Sequence, residues 1–319
     1  MLHLRIITPA ERTAETVTTL RGVPGTYNLI VLPGAAREPE GDVILCDVAR
    51  ESGDDAVHAL RRLGVDAYGS IAVENVDLTV SQGADRAEKE APGDSADAVL
   101  WDQLAEITHE ESTLSVTYLS FLTLATTLAA CGVVLDNAVL IVGAKAIGPD
   151  VGPLAGVSVA MVERRHRLVA RCLICLLVGF AVAIAVTVLF SLAMDAAGLF
   201  HAEQLTRHRP ITEFIVSPDE FSLIVGVLAG VAGTLSLTSA KSGALVGVAI
   251  SVTTIPAAAN AAVALSYGNY AQTRASSEQL LLNLVAISVA GTLTLLAQKW
   301  LWRMRRGRGA APADGRQDR

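Results

Sequence analysis

The sequence predicts an α+β head followed by an all-α polytopic membrane domain, on three observations. The charge is split: residues 1–113 carry a net −12 and residues 114–319 a net +5, which together give the −7 of the whole chain. The first 81 residues alternate short β-rich runs with amphipathic stretches in the order β-α-β-β-α-β. Beyond residue 113 come six long apolar runs. Such asymmetry between parts points to a soluble head on a membrane body.

In the head, residues 2–8 (LHLRIIT) read as a strand. Pro9 follows at a plausible first helical turn, with Thr8 as a candidate cap and Glu11 three residues on. That helix runs to about Leu20 and ends near Gly22 and Pro24-Gly25. Residues 27–32 (YNLIVL) and 42–48 (DVILCDV) are strands, with PGAAREPEG a turn-rich connector between them. A capped amphipathic helix starts at Ser52, with Ala56, Leu60 and Leu63 on one face, and stops at Gly64. A last strand from Ala67 to Val73 closes a ferredoxin-like βαββαβ unit, residues 1–81. Any effector bound by the head is expected at Thr8 and Arg12, where the N-terminus of the first helix favours an anion. The alternative is a plain cap and a solvated surface charge.

Residues 82–113 read as a charged linker and a juxtamembrane helix. QGADRAEKEAPGDSADA has no apolar period and reads as flexible. The helix from Trp101 sets Trp101, Leu104 and Ala105 on one side, with Thr108 following. Its position suits an interfacial segment, but its acidic face is wrong for anionic lipid, and packing against the head or a neighbouring subunit is the better reading.

The six apolar runs are 114–135, 137–162, 168–194, 221–238, 243–267 and 280–301, in a membrane domain of residues 114–302. Most reach the roughly 20 residues a spanning helix needs. The basic connectors, Arg164-Arg165-His166-Arg167, Lys241 and the cluster from Lys299 to Arg308, all fall on one side. By the positive-inside rule both termini are cytoplasmic and the membrane is the cell membrane. The start MLHLRIITPAERTAE has neither a basic leader nor a long apolar core, so the head is expected to stay in the cytoplasm. Residues 303–319 are a basic tail expected to be disordered.

The second run is interrupted by Lys145-Ala-Ile-Gly148-Pro149-Asp150-Val-Gly152-Pro153. Its prolines remove donors and its glycines permit non-helical torsions, which lipid tolerates only where protein or water satisfies the backbone. Lys145 and Asp150 share its depth, as a ligand site or as an ion pair that stabilises the break. With three spans per half, any internal repeat is inverted, and the fifth run corresponds to the second. It carries Val246-Gly247, then Thr253, Thr254, Pro256 and Asn260. Paired Gly/Pro interruptions at matching positions mark a midplane substrate site. The expected membrane site is therefore Gly143, Lys145, Gly148, Pro149, Asp150, Gly152, Pro153, Thr254, Pro256 and Asn260. The spacings Gly152-x3-Gly156, Gly226-x3-Gly230 and Gly243-x3-Gly247 read as close helix packing.

The acidic head argues against nucleic acid. Cys172 and Cys175 lie in an apolar run without a second ligand pair, the six histidines are scattered, and no metal site is expected. No nucleophile–base pair is legible, so no enzyme is expected.

LIVGAKAIGPDVGPLAG, LVGVAISVTTIPAAAN and WDQLAEITHEES resemble the bacterial membrane family known as domain of unknown function 389. GDVILCDVARE places the likeness in its actinobacterial branch. The resemblance covers essentially the whole chain and matches at Gly143, Gly148, Pro149, Gly152 and Pro153. It departs at Lys145, where the family usually has an apolar residue, often Met. It implies a multi-pass membrane protein with a soluble head, and no established reaction. The expected function is transport or conduction of a small solute or ion, regulated by the head, with a nucleotide the favoured effector. The alternative is a sensor or oligomeric scaffold that transports nothing. Lipid and further copies of the same chain are the expected partners.

Overall fold

The computed structural model describes residues 1–76, 78–91, 101–206, 220–238 and 254–309. Contacts divide the chain into two units, one built mainly on Met1–Asp102 and the other on Gln103–Leu237 and Lys241–Lys299.

The first unit is a four-stranded sheet with helices. Strand β1 (Leu2–Thr8) alternates in and out, and Leu2, Leu4 and Ile6 are fully buried. Strands β2 (Thr26–Arg37), β3 (Glu40–Val48) and β4 (Ser70–Asn75) complete the sheet in the order β2-β3-β1-β4, every neighbouring pair antiparallel. Ile6 lies opposite Ile44 on one side and Ile71 on the other. Helices α1 (Thr13–Arg21) and α2 (Gly53–Arg62) supply Leu20, Ala56 and Leu60 to the core those strands share. A short helix α3 (Val65–Tyr68) follows the left-handed Gly64.

Four boundaries differ from expectation. Thr8 stays in β1 opposite Asp42, and α1 starts only after a 3-10 turn at Ala10–Arg12, so no Thr8 side chain caps it. The connector after Leu32 is still strand: a bulge at Gly34 (φ 60) lets β2 resume and pair Ala36 with Gly41. Asp42 fixes that bulge, accepting the Gly34 N–H at 2.8 Å and the Thr13 hydroxyl at 2.7 Å. The closing strand comes later than expected because α3 takes residues 65–68. Finally, the first half of the expected linker is helix α4 (Gln82–Glu90), capped by Ser81, with Gly83 against the Tyr27 ring and Ala84 and Ala87 buried. Residues 92–100 lie outside the described segments.

The second unit is helical: α5 (Trp101–Glu111), α6 (Val116–Val134), α7 (Ala138–Ile147), α8 (Val151–Val162), α9 (His166–Ala196), α10 (Ala202–Thr206), α11 (Glu220–Thr238), α12 (Thr254–Ser266) and α13 (Tyr270–Gly309). Among the described residues, α6, α9, α11 and α13 are each long and apolar enough to cross a membrane. The pair α7 and α8 passes that test together, with a bend of 56°. Helix α12 is short and apolar, and the first part of the fifth expected run, with Gly243, Val246, Gly247 and Thr253, lies outside the described residues. Helix α13 begins ten residues before the sixth run because nothing in YAQTRASSEQ breaks it and Asn269 caps its first turn. It also continues to Gly309, into the segment expected to be disordered.

Asn137 accepts the N–H groups of Val139 and Leu140 and so starts α7. Small residues set the packing. A Cβ on Gly230 would meet the Ile287 carbonyl at 2.6 Å, and one on Gly291 would meet Ser158 and Thr234. The shared core draws on α6 (Leu122, Ala125, Ala129), α8 (Leu154, Val157), α9 (Cys172, Leu176, Phe180) and α12 (Ile255, Ala258, Val263).

Candidate functional site: the break between α7 and α8

Pro149 disfavours helical torsions at the residue before it, and Gly148 is extended at φ −68, ψ 128. Helix α7 therefore ends at Ile147. Pro153 sits in the first turn of α8, where an N–H would have no helical partner in any case. At 1.5 Å per residue the two pieces measure about 15 and 18 Å; across a 56° bend they project to roughly 29 Å, against a hydrocarbon core of about 30 Å. That length fits one broken crossing.

At the break Asp150 is fully buried and Lys145 is 4% exposed. Asp150 stands at the N-cap position of α8 but makes no side-chain cap bond there. Its Oδ2 accepts the hydroxyl of Thr254, the first residue of α12, at 2.5 Å. Beside it, a Cβ on Gly148 would fall 2.0 Å from Ile255 Cδ1, so any side chain there has to displace that methyl. Lys145 and Asp150 are near enough for their charges to interact, yet among the described residues no ion pair within 4 Å joins them. The start of α8 thus meets the first described residues of α12. They part from there: α8 ends at the beginning of α9, and the end of α12 meets the end of α9 through Tyr267 and Asp195.

Residues 146–289 match the model of a family described as a domain of unknown function, DUF389. This segment belongs to the DUF389 family. The uncharacterized protein MJ0678 of Methanocaldococcus jannaschii is 23% identical over 247 residues, which is 77% of this chain and 73% of that protein. No solved structure matches the chain.

The DUF389 segment begins one residue after Lys145 and takes in the rest of the break, α12 and the first half of α13. Of the residues expected at the site, Lys145, Gly148, Asp150 and Thr254 come together, with Pro149, Pro153 and Pro256 shaping the chain around them. Gly152 is close too, but against α5: its Cβ would lie 2.5 Å from Glu111. Gly143 has nothing within 4 Å of a Cβ and takes no part in the cluster. Asn260 lies six residues, about 9 Å, further along α12. It is fully buried and bonds Ser276 (2.7 Å) and Gln272 (3.3 Å) of α13 instead.

Three features had no sequence signal tying them to the site. Glu111 ends α5 against the first turn of α8, where protein covers part of its carboxyl and raises its pKa above the usual range, with Glu110 adding to the effect. Tyr118 of α6, buried, lies within electrostatic reach of Asp150. In the DUF389 part of α13, Ser276, Gln279 and Asn283 are all fully buried. Helix α5, expected to pack on the head or a neighbouring subunit, sets Thr108 and Ser112 on Gly156 of α8.

In the head, Thr8 is fully buried and its hydroxyl has no hydrogen-bond partner among the described residues. Arg12 is engaged within the head, its guanidinium 4.5 Å over the Tyr68 ring and bonded to the Leu63 carbonyl at 3.3 Å. A concave surface of the head lies elsewhere, in an open groove of about 740 Å³ lined by Gly22, Pro24, Asp55, His58, Arg61 and Arg62 among others.

Proposed function

We propose that this chain is a carrier in the cell membrane, that its cargo is a small anion, and that the cargo binds at the break between α7 and α8. One observation carries the reading: two opposite charges are buried at a helix break, against a second short apolar helix. Intramembrane charges are costly enough to be functional by default. The sign follows from the inventory. A helix N-terminus contributes about half a positive charge, and α8 supplies one; Lys145 adds one positive charge and Asp150 removes one. The balance is roughly half a positive charge, at an N-terminus that no side chain caps. Half-helix N-termini facing an anion are a recurring carrier design.

We read the body as six spans in an inverted three-plus-three arrangement, with both termini cytoplasmic. The head is read as ferredoxin-like, because β2-β3-β1-β4 with all pairs antiparallel is the order a split βαβ unit produces. It would take an effector, a nucleotide first among candidates, in the groove of His58, Arg61 and Arg62 rather than at Thr8 and Arg12. Helix α5 would carry its state to α8 through Glu111 and Gly152. The buried state of Lys145, Asp150 and Thr254 corresponds to a closed site, which has to open on one side to exchange cargo.

The test is flux of labelled chloride, bicarbonate, phosphate and monocarboxylates in proteoliposomes, with nucleotides as effectors. Flux of one anion is expected, lost in Lys145→Met and Asp150→Asn while the size-exclusion profile stays that of the parent. Absence of flux under every effector, or variants that alter assembly alone, would favour an oligomeric scaffold or sensor instead.

A further inference from the structure

We infer that Gln279, with Ser276, Asn283 and Asn260, forms a binding site for a monovalent metal cation, separate from the break. Gln272, Ser276, Gln279 and Asn283 are spaced by four, three and four residues and so share one face of α13. That face meets α12 at Asn260. Asn260, Ser276, Gln279 and Asn283 are all fully buried.

Three hydrogen bonds run between members of this cluster. Gln272 Nε2 donates to Asn260 Oδ1 at 3.3 Å, Asn260 Nδ2 to Ser276 Oγ at 2.7 Å, and Gln279 Nε2 to Asn283 Oδ1 at 3.4 Å. One acceptor is left over: Gln279 Oε1 is buried with no hydrogen-bond partner among the described residues. An orphan acceptor of this kind is rare and needs an explanation. A buried oxygen left without a donor is met by a positive ion or by a further donor, not by an anion. A positive ion needs oxygens, and amide and hydroxyl oxygens are what the cluster presents.

The charge of that ion follows from the ligands. No member of the cluster is a carboxylate; the nearest acid along the helix, Glu278, points to the exposed side and pairs with Arg274 at 2.7 Å. Divalent calcium and magnesium are held chiefly by carboxylates, and transition metals by imidazole or thiolate. Neutral oxygens replacing a hydration shell are the setting for sodium or potassium. On α11, Gly226 faces this group with no side chain, a Cβ there lying 3.7 Å from Asn283 Oδ1. Polar residues of this sort also serve as plain interhelical glue, or hold a water that donates to Gln279. Both of those are indifferent to the cation.

The test uses the full-length protein in nanodiscs, dialysed into choline chloride. Its melting temperature is followed as NaCl or KCl replaces choline chloride at constant ionic strength. A saturable rise of roughly 5 °C at a hundredfold excess over Kd is expected for one alkali cation. It should vanish in Gln279→Leu and weaken in Ser276→Ala. Equal melting in all three salts, or a rise retained in Gln279→Leu, overturns the assignment. Should Gln279→Leu not fold, equilibrium binding of radioactive sodium and rubidium to the parent and to Ser276→Ala decides it: no binding above the choline background overturns the site. None of these readouts requires flux, so the site stands or falls apart from the carrier reading.

Discussion

Replacing Gly148 with alanine is the sharpest perturbation available at the break. The backbone there, φ −68 and ψ 128, is one that any residue adopts, so alanine adds no torsional strain. It should even gain roughly 0.4–1 kcal/mol through the unfolded chain. Against that, the new Cβ would lie 2.0 Å from Ile255 Cδ1, where ordinary contact begins near 3.4 Å. Ile255 is fully buried, so its δ-methyl can yield only by pressing on neighbouring side chains. Overpacking of this kind typically costs about 1–3 kcal/mol, so a net loss of roughly 0.5–2 kcal/mol is expected. Removing the offending methyl should repair it: Ile255→Val costs about 0.5–1.5 kcal/mol alone, but with Gly148→Ala the two losses should fall short of additive by at least about 1 kcal/mol. The assay is a double-mutant cycle on equilibrium unfolding in mixed micelles. A neutral Gly148→Ala, or additive losses, would show that α12 does not seat on Gly148.

Three further outcomes are expected. Gly152→Ala puts a Cβ 2.5 Å from Glu111, and should speed hydrogen exchange in α5 while leaving that of β1 unchanged. The Asp42 carboxyl is held below its ordinary range by the Thr13 hydroxyl and the Gly34 N–H. Its contribution is therefore present above the unfolded pKa near 3.9 and lost as pH falls through the lower folded value; exchange of the β2–β3 hairpin should accelerate on acidification, and Asp42→Asn should flatten that dependence. The Cys46 thiol is buried in the head core and pushed up to about 12 by burial, with Asp47 adding, so it should resist maleimide at pH 8 until the head is unfolded, as mass spectrometry would show.

The break was legible because proline and glycine act locally: Gly148, Pro149 and Pro153 stop and restart a helix whatever surrounds them. The encounter of Asp150 with Thr254 was foreshadowed by matching positions in the second and fifth runs. What stayed hidden depends on the partner. Helix α4 buries only alanines, Ala84 and Ala87, too small to mark an apolar period against charged neighbours. The start of α13 is written in Gln, Thr, Ser and Asn, the same letters as a loop, so neither its first ten residues nor its buried amides stood out. Thr8 failed as a cap because capping turns on the residue at which the strand lets go. Glu111 looked like one more charge on a solvated face until Gly152 of α8 was found beneath it.

The contact of α5 with α8 has a consequence for how the two can move. Thr108 and Ser112 return their hydroxyl protons to carbonyls of their own helix, Leu104 and Thr108. What faces Gly156 is thus already satisfied, and the polar ties of α5 run to α9 instead: the Cys172 thiol to Ser112, and Arg171 to His109 Nε2 at 2.7 Å and to the Thr113 hydroxyl just past α5 at 2.7 Å. Sliding α5 along the glycine track of Gly152 and Gly156 breaks no hydrogen bond from Thr108 or Ser112 to α8, but it has to carry Arg171 of α9 along or release its two bonds. The seam with α8 is greased rather than glued, and Arg171 is the latch that holds its register.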